Sequence, residues 1–371
     1  MIYFDNAATT EISYELCKSI DILNYNYFGN GSSVYSIGRE SRVLIEESRK
    51  KISKLLNVNS SDIIFTSGAT ESINTVIHNA AFGLQVKNII TSPIEHKAVI
   101  NSLSFYESIG CFKIDYVRLN EKGIIDFSHL EALLSRGNNQ LVVLMHANNE
   151  IGNLLPLKDC SELCSKYKAF FFTDMVQSIA KYQINLAATP VSFAVASAHK
   201  FHGPKGIGFL YKAKGVKFIP LIRGGDQENE KRAGTENLVN IVAMASAFEE
   251  EYIKHKSNFE YISSLKEYFI KKIKETFKNV IFNGTCENSG LYNLVNISFP
   301  KSQKTEMLVE QLDLKGIAVS GASACQGGET SYVLKAIGTP YNTVALRFSF
   351  SKNNTEDEID KTLKVLKKIL N

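Results

Sequence analysis

The chain has no apolar run long enough to cross a bilayer, and no block of five or more charges of one sign. A membrane-spanning helix needs about 20 consecutive, mostly apolar residues. Electrostatic binding to nucleic acid or to a membrane surface needs concentrated basic charge, whereas here 42 Lys and Arg are nearly balanced by 38 Asp and Glu. We therefore expect no direct nucleic-acid partner and no membrane partner.

Cysteine is scarce. The six cysteines are scattered along the chain, at positions 17, 111, 160, 164, 286 and 325. The chain opens on MIYFDN, without the basic and apolar leader of a secreted protein. Scattered cysteines in a long chain of this kind are typical of free thiols in a reducing compartment, so we expect a cytoplasmic protein.

Internal repeats and low-complexity segments are also missing from the 371 residues, of which 44% are hydrophobic and 22% charged. This composition excludes disordered, collagenous and disulfide-scaffold proteins. Because the length exceeds what one core usually supports, two domains are expected. After a long helical stretch, the predicted helices become longer and the predicted strands fewer. The polar segment 255–258 suggests a domain boundary near residue 256.

Short apolar runs alternate with helix-period segments in the first two thirds of the chain. The runs read as strands lie at 63–65, 88–90, 141–145, 170–172 and 192–196. Residues 70–81 carry apolar side chains at the spacing of one helix face. Such alternation predicts an α/β fold with a mostly parallel sheet wrapped by helices.

Lys200 is the most informative single residue. It follows the apolar run 192–197, and a glycine-rich turn then leads into another strand-like segment at 206–211. Ligands of open α/β sheets bind beyond the carboxyl ends of strands. A lysine there suggests an amine that bonds covalently to pyridoxal phosphate, although a structural surface lysine is the commoner case for such a position.

Other predicted strands also end in polar groups. Gly68 and Thr70 open a helix and suggest a phosphate cradle. Asp174 could pair with a pyridine nitrogen, and His96 could stack on a flat ring or move a proton. Each has a plainer explanation, as a helix cap or a buried histidine, but their convergence at successive strand ends favours an active site.

Two further residues lie in the last third of the chain. Cys325 is in the glycine-rich segment 320–330, outside any apolar period, which favours a reactive thiol over a buried structural one. Arg347 interrupts a strand pattern, and either a bidentate contact to a carboxylate or an edge salt bridge would explain it.

These motifs together resemble the NifS-like cysteine desulfurases of the class V aminotransferase superfamily, which are fold-type I pyridoxal-phosphate enzymes. The similarity runs the whole length of the chain. It is carried by YFDNAAT (3–9), FTSGATES (65–72), EHKAV (95–99), NNEIG (148–152), TDMVQS (173–178), SAHKFHGPKGIG (197–208), RAGTEN (232–237), SGASAC (320–325) and RFSFS (347–351).

The resemblance implies a large cofactor-binding domain at 14–256 and a smaller α+β domain built from 1–13 and 257–371, which would carry the catalytic cysteine loop. It implies a homodimer that converts L-cysteine to L-alanine, with pyridoxal 5'-phosphate as cofactor. The sulfur would pass to Cys325 as a persulfide and then to an acceptor protein, for iron–sulfur clusters or for thiolation of a cofactor or tRNA.

Each site residue takes a role from the same resemblance. Lys200, Cys325 and His96 would be catalytic, and Arg347 with Asn149 would bind the substrate carboxylate. The cofactor would be held by Ala69, Thr70, His96, Asn149, Asp174, Gln177, Ser197, His199, Lys200 and, from a second subunit, Thr235. No metal is expected.

The sequence departs from the family pattern in three places, of which the first two bear on the sulfur acceptor. The segment between Cys325 and Ser331 is shorter than usual, the chain ends soon after its last helix, and Asp226 stands where a third glycine is usual. A selenocysteine or cysteine-sulfinate lyase of the same superfamily is the main alternative. A zinc-binding module built on Cys160 and Cys164, with His199 or His202, is a remote one.

Overall fold

The structure is a computed structural model that describes residues 1–305, 307–321 and 331–370. Its strands are β1 (Ile2–Tyr3), β2 (Ile63–Thr66), β3 (Asn88–Thr91), β4 (Lys113–Tyr116), β5 (Gln140–Val143), β6 (Phe170–Asp174), β7 (Phe193–Ser197), β8 (Gly208–Lys212), β9 (Ile281–Phe282), β10 (Leu294–Pro300), β11 (Ile317–Ala318), β12 (Ser320–Gly321) and β13 (Thr343–Ser349). Its helices are α1 (Tyr14–Asn26), α2 (Ser36–Leu56), α3 (Ala69–Phe82), α4 (Lys97–Ser108), α5 (Phe127–Leu134), α6 (Leu157–Lys166), α7 (Leu238–Ile253), α8 (His255–Thr276), α9 (Leu308–Asp313), α10 (Tyr332–Ala336) and α11 (Glu356–Leu370).

The larger sheet has seven strands in the order β2-β8-β7-β6-β5-β3-β4. Strand β8 runs antiparallel to both of its neighbours, β2 and β7, and the remaining pairs are parallel. The carboxyl ends of β2, β3, β5, β6 and β7 therefore lie at one edge of the sheet. This confirms the predicted α/β class, with a mostly parallel sheet.

Helices cover both faces of this sheet. One face packs against α2 and α7, with Ile52 and Phe248 fully buried, and the other packs against α3 and α4, with Val76 and Val99 fully buried. Each such side chain stabilises the fold by about 1.5–3 kcal/mol through the hydrophobic effect. The strands are buried on both faces, which explains why they read as continuous apolar runs.

A second, antiparallel sheet has the order β12-β13-β10-β9, and β1 pairs with β11 in a separate parallel ribbon. Helices α8 and α11 pack on this region around Phe269, Phe348 and Leu366. The chain thus contains the smaller α+β part that was expected. The exact domain limits, 14–256 against 1–13 with 257–371, stay a prediction; α8 begins at His255, next to the expected boundary. None of the helices in the described ranges is both long and apolar enough to span a membrane.

Candidate active site

A cavity of about 700 Å³ opens where the carboxyl ends of the parallel strands meet the smaller sheet. Most residues predicted for the site line it, namely Ala69, Thr70, His96, Asn149, Asp174, Gln177, Ser197, His199, Lys200 and Arg347. The fold thus gathers side chains that are up to 278 positions apart in sequence, from Ala69 to Arg347. This convergence is what the sequence pattern indicated.

Lys200 lies in a short turn, Ala198–Lys200, directly after β7. Its Nζ donates hydrogen bonds to the carbonyl oxygens of Ala7 at 2.7 Å and Ala8 at 2.6 Å. Burial, followed by the positive charge of Arg347, lowers the pKa of Lys200 from 10.5 to about 8. An amine with this pKa is far more often neutral at physiological pH than an ordinary lysine, as a nucleophile requires.

Asp174 ends β6 and is 7% exposed. Its Oδ1 accepts a hydrogen bond from the Val176 amide at 2.9 Å. Burial raises the pKa of this carboxyl, while that hydrogen bond and the charges of His96 and Lys200 oppose the rise. A buried carboxylate of this kind is stabilised by a cationic partner in the cavity, which a protonated ring nitrogen would provide.

The amino end of α3 forms a cradle at the cavity wall. Gly68, the cap residue, has φ of +149° and offers no side-chain cap to the first amides of the helix. A Cβ at Gly208 would lie 2.3 Å from the Ala196 carbonyl oxygen and 2.8 Å from the Gly68 Cα, so the backbones pack too closely for a side chain there. Free amides at a helix amino end suit a phosphate.

Two histidines line the cavity and make different hydrogen bonds. His96 caps α4, where its Nδ1 accepts from the Ala98 amide at 3.1 Å, so a neutral ring carries its proton on Nε2. His199 contacts the Thr9 hydroxyl through Nδ1 at 3.2 Å. Burial and the nearby Lys200 and Lys205 lower the pKa of His199 to about 4, which keeps its ring neutral.

Arg347, on β13, reaches the cavity from the smaller sheet. Its Nη1 donates to the Asn149 carbonyl oxygen at 2.8 Å, and its Nη2 donates to Asp5 Oδ1 at 2.7 Å and to Ser320 Oγ at 2.8 Å. The Nε is buried and has no hydrogen-bond partner within the described chain. A buried N–H without a partner is costly, and a substrate carboxylate would satisfy it.

Gln177 lies one turn beyond β6 and is 3% exposed. Its Nε2 donates to the Ala7 carbonyl oxygen at 2.8 Å, the same oxygen that accepts from Lys200. The contacts of Ala7 and Ala8 were not predicted. They involve main-chain oxygens, and the only signal in the sequence was the position of both residues within the YFDNAAT motif.

One described residue that was predicted for the site, Thr235, is not among those that line this cavity. Thr235 is exposed and lines a neighbouring cavity of about 130 Å³, which shares Ser67 and Gly206 with the larger one. Its predicted contact, from a second subunit, stays a prediction. Cys325, which was also predicted for the site, lies outside the described residues.

The zinc alternative finds no support among the residues described. Cys160 and Cys164 lie on one face of α6 and are buried in the core of the larger sheet. His199 lines the active-site cavity instead. Across the described ranges there is no group of three or more His, Cys, Asp and Glu side chains suited to a metal ion.

Comparisons with family models, curated proteins and solved structures all point to the same family. The aminotransferase class-V family model matches residues 2–362. A cysteine desulfurase IscS from Dictyoglomus turgidum is 40% identical over 375 residues, covering 100% of this chain and 94% of that protein. Among solved structures, a NifS-like protein has a TM-score of 0.90 and 34% identity, covering 100% of this chain and 99% of that one. SspA in complex with cysteine has a TM-score of 0.81 and 29% identity, covering 96% and 100% of the two chains.

Proposed function

Because this chain belongs to the class-V aminotransferase family, we propose that it is a pyridoxal-phosphate-dependent cysteine desulfurase. In this reaction L-cysteine is converted to L-alanine, and its sulfur passes to Cys325. The observation that carries the proposal is the cavity in which a partly buried lysine of lowered pKa, a buried aspartate and a buried arginine converge, the arginine Nε having no partner among the described residues. Their chemistry matches a cofactor ring and an amino-acid substrate.

The residues of the cavity fit the cofactor. The amides at the start of α3, with Thr70, Ser197 and His199, would hold its phosphate, and Asp174 would pair with its ring nitrogen. Gln177 would donate to the ring oxygen through Nε2, and Lys200 would hold the cofactor covalently. When bound, the cofactor supplies an electron sink for charge that develops on the substrate α-carbon.

Lys200 is the group best suited to move the α-proton. Its Nζ has a pKa of about 8, so the amine accepts a proton from carbon and returns it within the physiological range. Nζ donates hydrogen bonds to the carbonyl oxygens of Ala7, at 2.7 Å, and Ala8, at 2.6 Å. These bonds fix the orientation of the amine. His96, which lines the same cavity, would assist through its Nε2–H.

Arg347 and Asn149 would bind the substrate carboxylate, with Arg347 Nε, which has no partner within the described ranges, as a donor. With its carboxylate bound in this way, the substrate would offer its thiol for transfer of the sulfur to Cys325. The Cys325 thiolate attacks the substrate sulfur, so that an S–S bond forms as the substrate C–S bond breaks. The electron pair of the broken bond stays with the carbon skeleton, which takes up protons and leaves as alanine.

We further propose a cytoplasmic homodimer that hands its sulfur to an acceptor protein, for iron–sulfur cluster assembly or for thiolation of a cofactor or tRNA. Large apolar side chains are exposed near the start of the chain, including Tyr25 at 84%, Phe28 at 76% and Val34 at 86%. Exposed apolar surface of this kind favours a protein interface. The shared cavity wall beside exposed Thr235 is compatible with a contribution from a second subunit.

The test is to supply L-cysteine to purified protein and to quantify alanine and sulfide. Wild type should produce both, whereas Cys325→Ser should bind the cofactor but release almost none. Cys111→Ser serves as a matched control, since Cys111 lies three residues beyond α4, outside the cavity lining. Equal products from Cys325→Ser and wild type would instead identify a lyase, with selenocysteine or cysteine sulfinate as its preferred substrate.

A further inference from the structure

Lys181 is a buried lysine to which the reaction assigns no role. It is 9% exposed and lies four residues after Gln177, in the turn that follows β6. Its Nζ donates a hydrogen bond to Gln177 Oε1 at 3.2 Å. In the part of the chain that the structure describes, this is the hydrogen bond found for Nζ. A buried lysine with so few partners is unusual and requires a reason.

The reason lies in the amide of Gln177. Lys181 Nζ donates to Oε1, which marks that oxygen as the acceptor side of the amide. The Ala7 carbonyl can only accept, so it fixes Nε2 as the donor side, at 2.8 Å. Because each NH₂ group has two hydrogens, one N–H of Gln177 remains for a ligand in the cavity.

A continuous path of hydrogen bonds therefore joins Lys181 to Lys200. It runs from Lys181 Nζ to Gln177 Oε1, then from Gln177 Nε2 to the Ala7 oxygen, which also accepts from Lys200 Nζ. We infer that Lys181 is a positioning residue, which acts through Gln177 to present an N–H donor and a nearby positive charge to the ring oxygen of the cofactor. This inference rests on the proposed function.

The charged groups around Lys181 shift its pKa. Burial, followed by repulsion from Lys200, lowers the pKa of Lys181 to about 7, with Glu251 opposing and Arg347 adding to this shift. Glu251 is itself paired with Lys352 at 2.6 Å, and His202 is a further titratable neighbour. Lys181 is therefore buried near two other cations, Lys200 and Arg347. Its position is not that of a lysine solvated at the surface.

The experiment uses purified holoenzyme and its visible absorbance band. Lys181→Met removes both the donor and the charge. Since an N–H donor and a positive charge stabilise the ionised ring oxygen, their loss should move the pH midpoint of the band upward by about one unit. The affinity of apoprotein for pyridoxal phosphate, followed by the same band, should fall roughly tenfold.

Two further variants make the result specific. Lys266→Met removes another buried lysine, whose Nζ donates to the Leu291 carbonyl at 2.8 Å outside the cavity, and it should leave the midpoint unchanged. Lys181→Gln keeps a donor, so its pH midpoint should lie between those of wild type and Lys181→Met. It also tests the inference if Lys181→Met folds poorly. A midpoint equal to wild type in both Lys181 variants would overturn the inference. Absence of the band from wild type would instead overturn the proposed function.

Discussion

The Nη2 of Arg347 lies 2.7 Å from Asp5 Oδ1, so the guanidinium proposed to bind the substrate is paired with a carboxylate of the protein. Ser320 joins both, since its hydroxyl donates to Asp5 Oδ1 and accepts from Arg347 Nη2. Asp5 thus orients Arg347 and at the same time competes with the substrate carboxylate for its charge.

These two effects of Asp5 can be separated by substitution. Asp5→Asn keeps an oxygen acceptor but removes the competing charge, so KM for L-cysteine should fall several-fold. Asp5→Ala also removes the acceptor that orients Arg347, so KM should rise, with a smaller effect on kcat. Steady-state kinetics of both variants check this, and identical KM values for the two variants would contradict it.

Lys200→Ala should abolish the visible cofactor band and turnover together, because the amine that holds the cofactor and moves the proton is gone. Lys205→Ala provides the control, since Lys205 lines the same cavity but is exposed on the following turn, and this variant should keep the band. Absorbance spectra with an alanine assay distinguish the two. Substantial turnover by Lys200→Ala would refute the assignment.

The lowered pKa of Lys200 gives a pH dependence. Its pKa falls from 10.5 to about 8, so the amine is mostly protonated below pH 8 and mostly neutral above it. Only the neutral amine attacks an aldehyde. The rate at which apoprotein binds pyridoxal phosphate should therefore rise with pH and level off above about pH 8, as followed by stopped-flow absorbance. A rate that still climbs steeply up to pH 10 would indicate an ordinary lysine.

A buried ion pair anchors the segment before the RAGTEN motif. Arg49 on α2 pairs with Glu228 at 2.6 Å, and the two side chains are 4% and 2% exposed. Arg49→Met leaves the Glu228 charge buried and alone, and it should lower the free energy of unfolding by about 3–5 kcal/mol. Chemical denaturation measures this loss.

An exposed ion pair between the same helix, α2, and α7 supplies the comparison. Lys51 pairs with Glu249 at 2.7 Å, with side chains 37% and 40% exposed, so Lys51→Ala should cost less than about 1 kcal/mol. Adding Glu228→Gln to Arg49→Met should recover part of the stability, because Gln still accepts from the Phe65 amide. A loss at Arg49 no larger than at Lys51 would show that the pair contributes little.

The sequence predicted the edge of the sheet and most of the side chains at the cavity. Asp174 ends one apolar run and Lys200 follows another, and the short length of both runs favours strands over helices. Strand β4 was not predicted, because it is an edge strand whose ends, Lys113 and Tyr116, are exposed.

Some features of the structure could not be predicted from residue type. Lys181 is one of many lysines in the sequence, and only the fold shows that it is buried against Gln177. Asp226 departs from a glycine pattern, yet its φ of −85° needs no glycine. The left-handed residues are instead Glu228, Asn229 and Glu230, and the Arg49 ion pair holds the first of them in place.

The most direct test of the central claim is peptide mass spectrometry of wild-type protein after a single turnover with L-cysteine in the absence of reductant. The peptide that contains Cys325 should gain one sulfur atom, in an amount equal to the alanine formed, and the Lys200→Ala variant should show no gain. Alanine formed without added sulfur on Cys325 would contradict the proposal that this cysteine receives the sulfur.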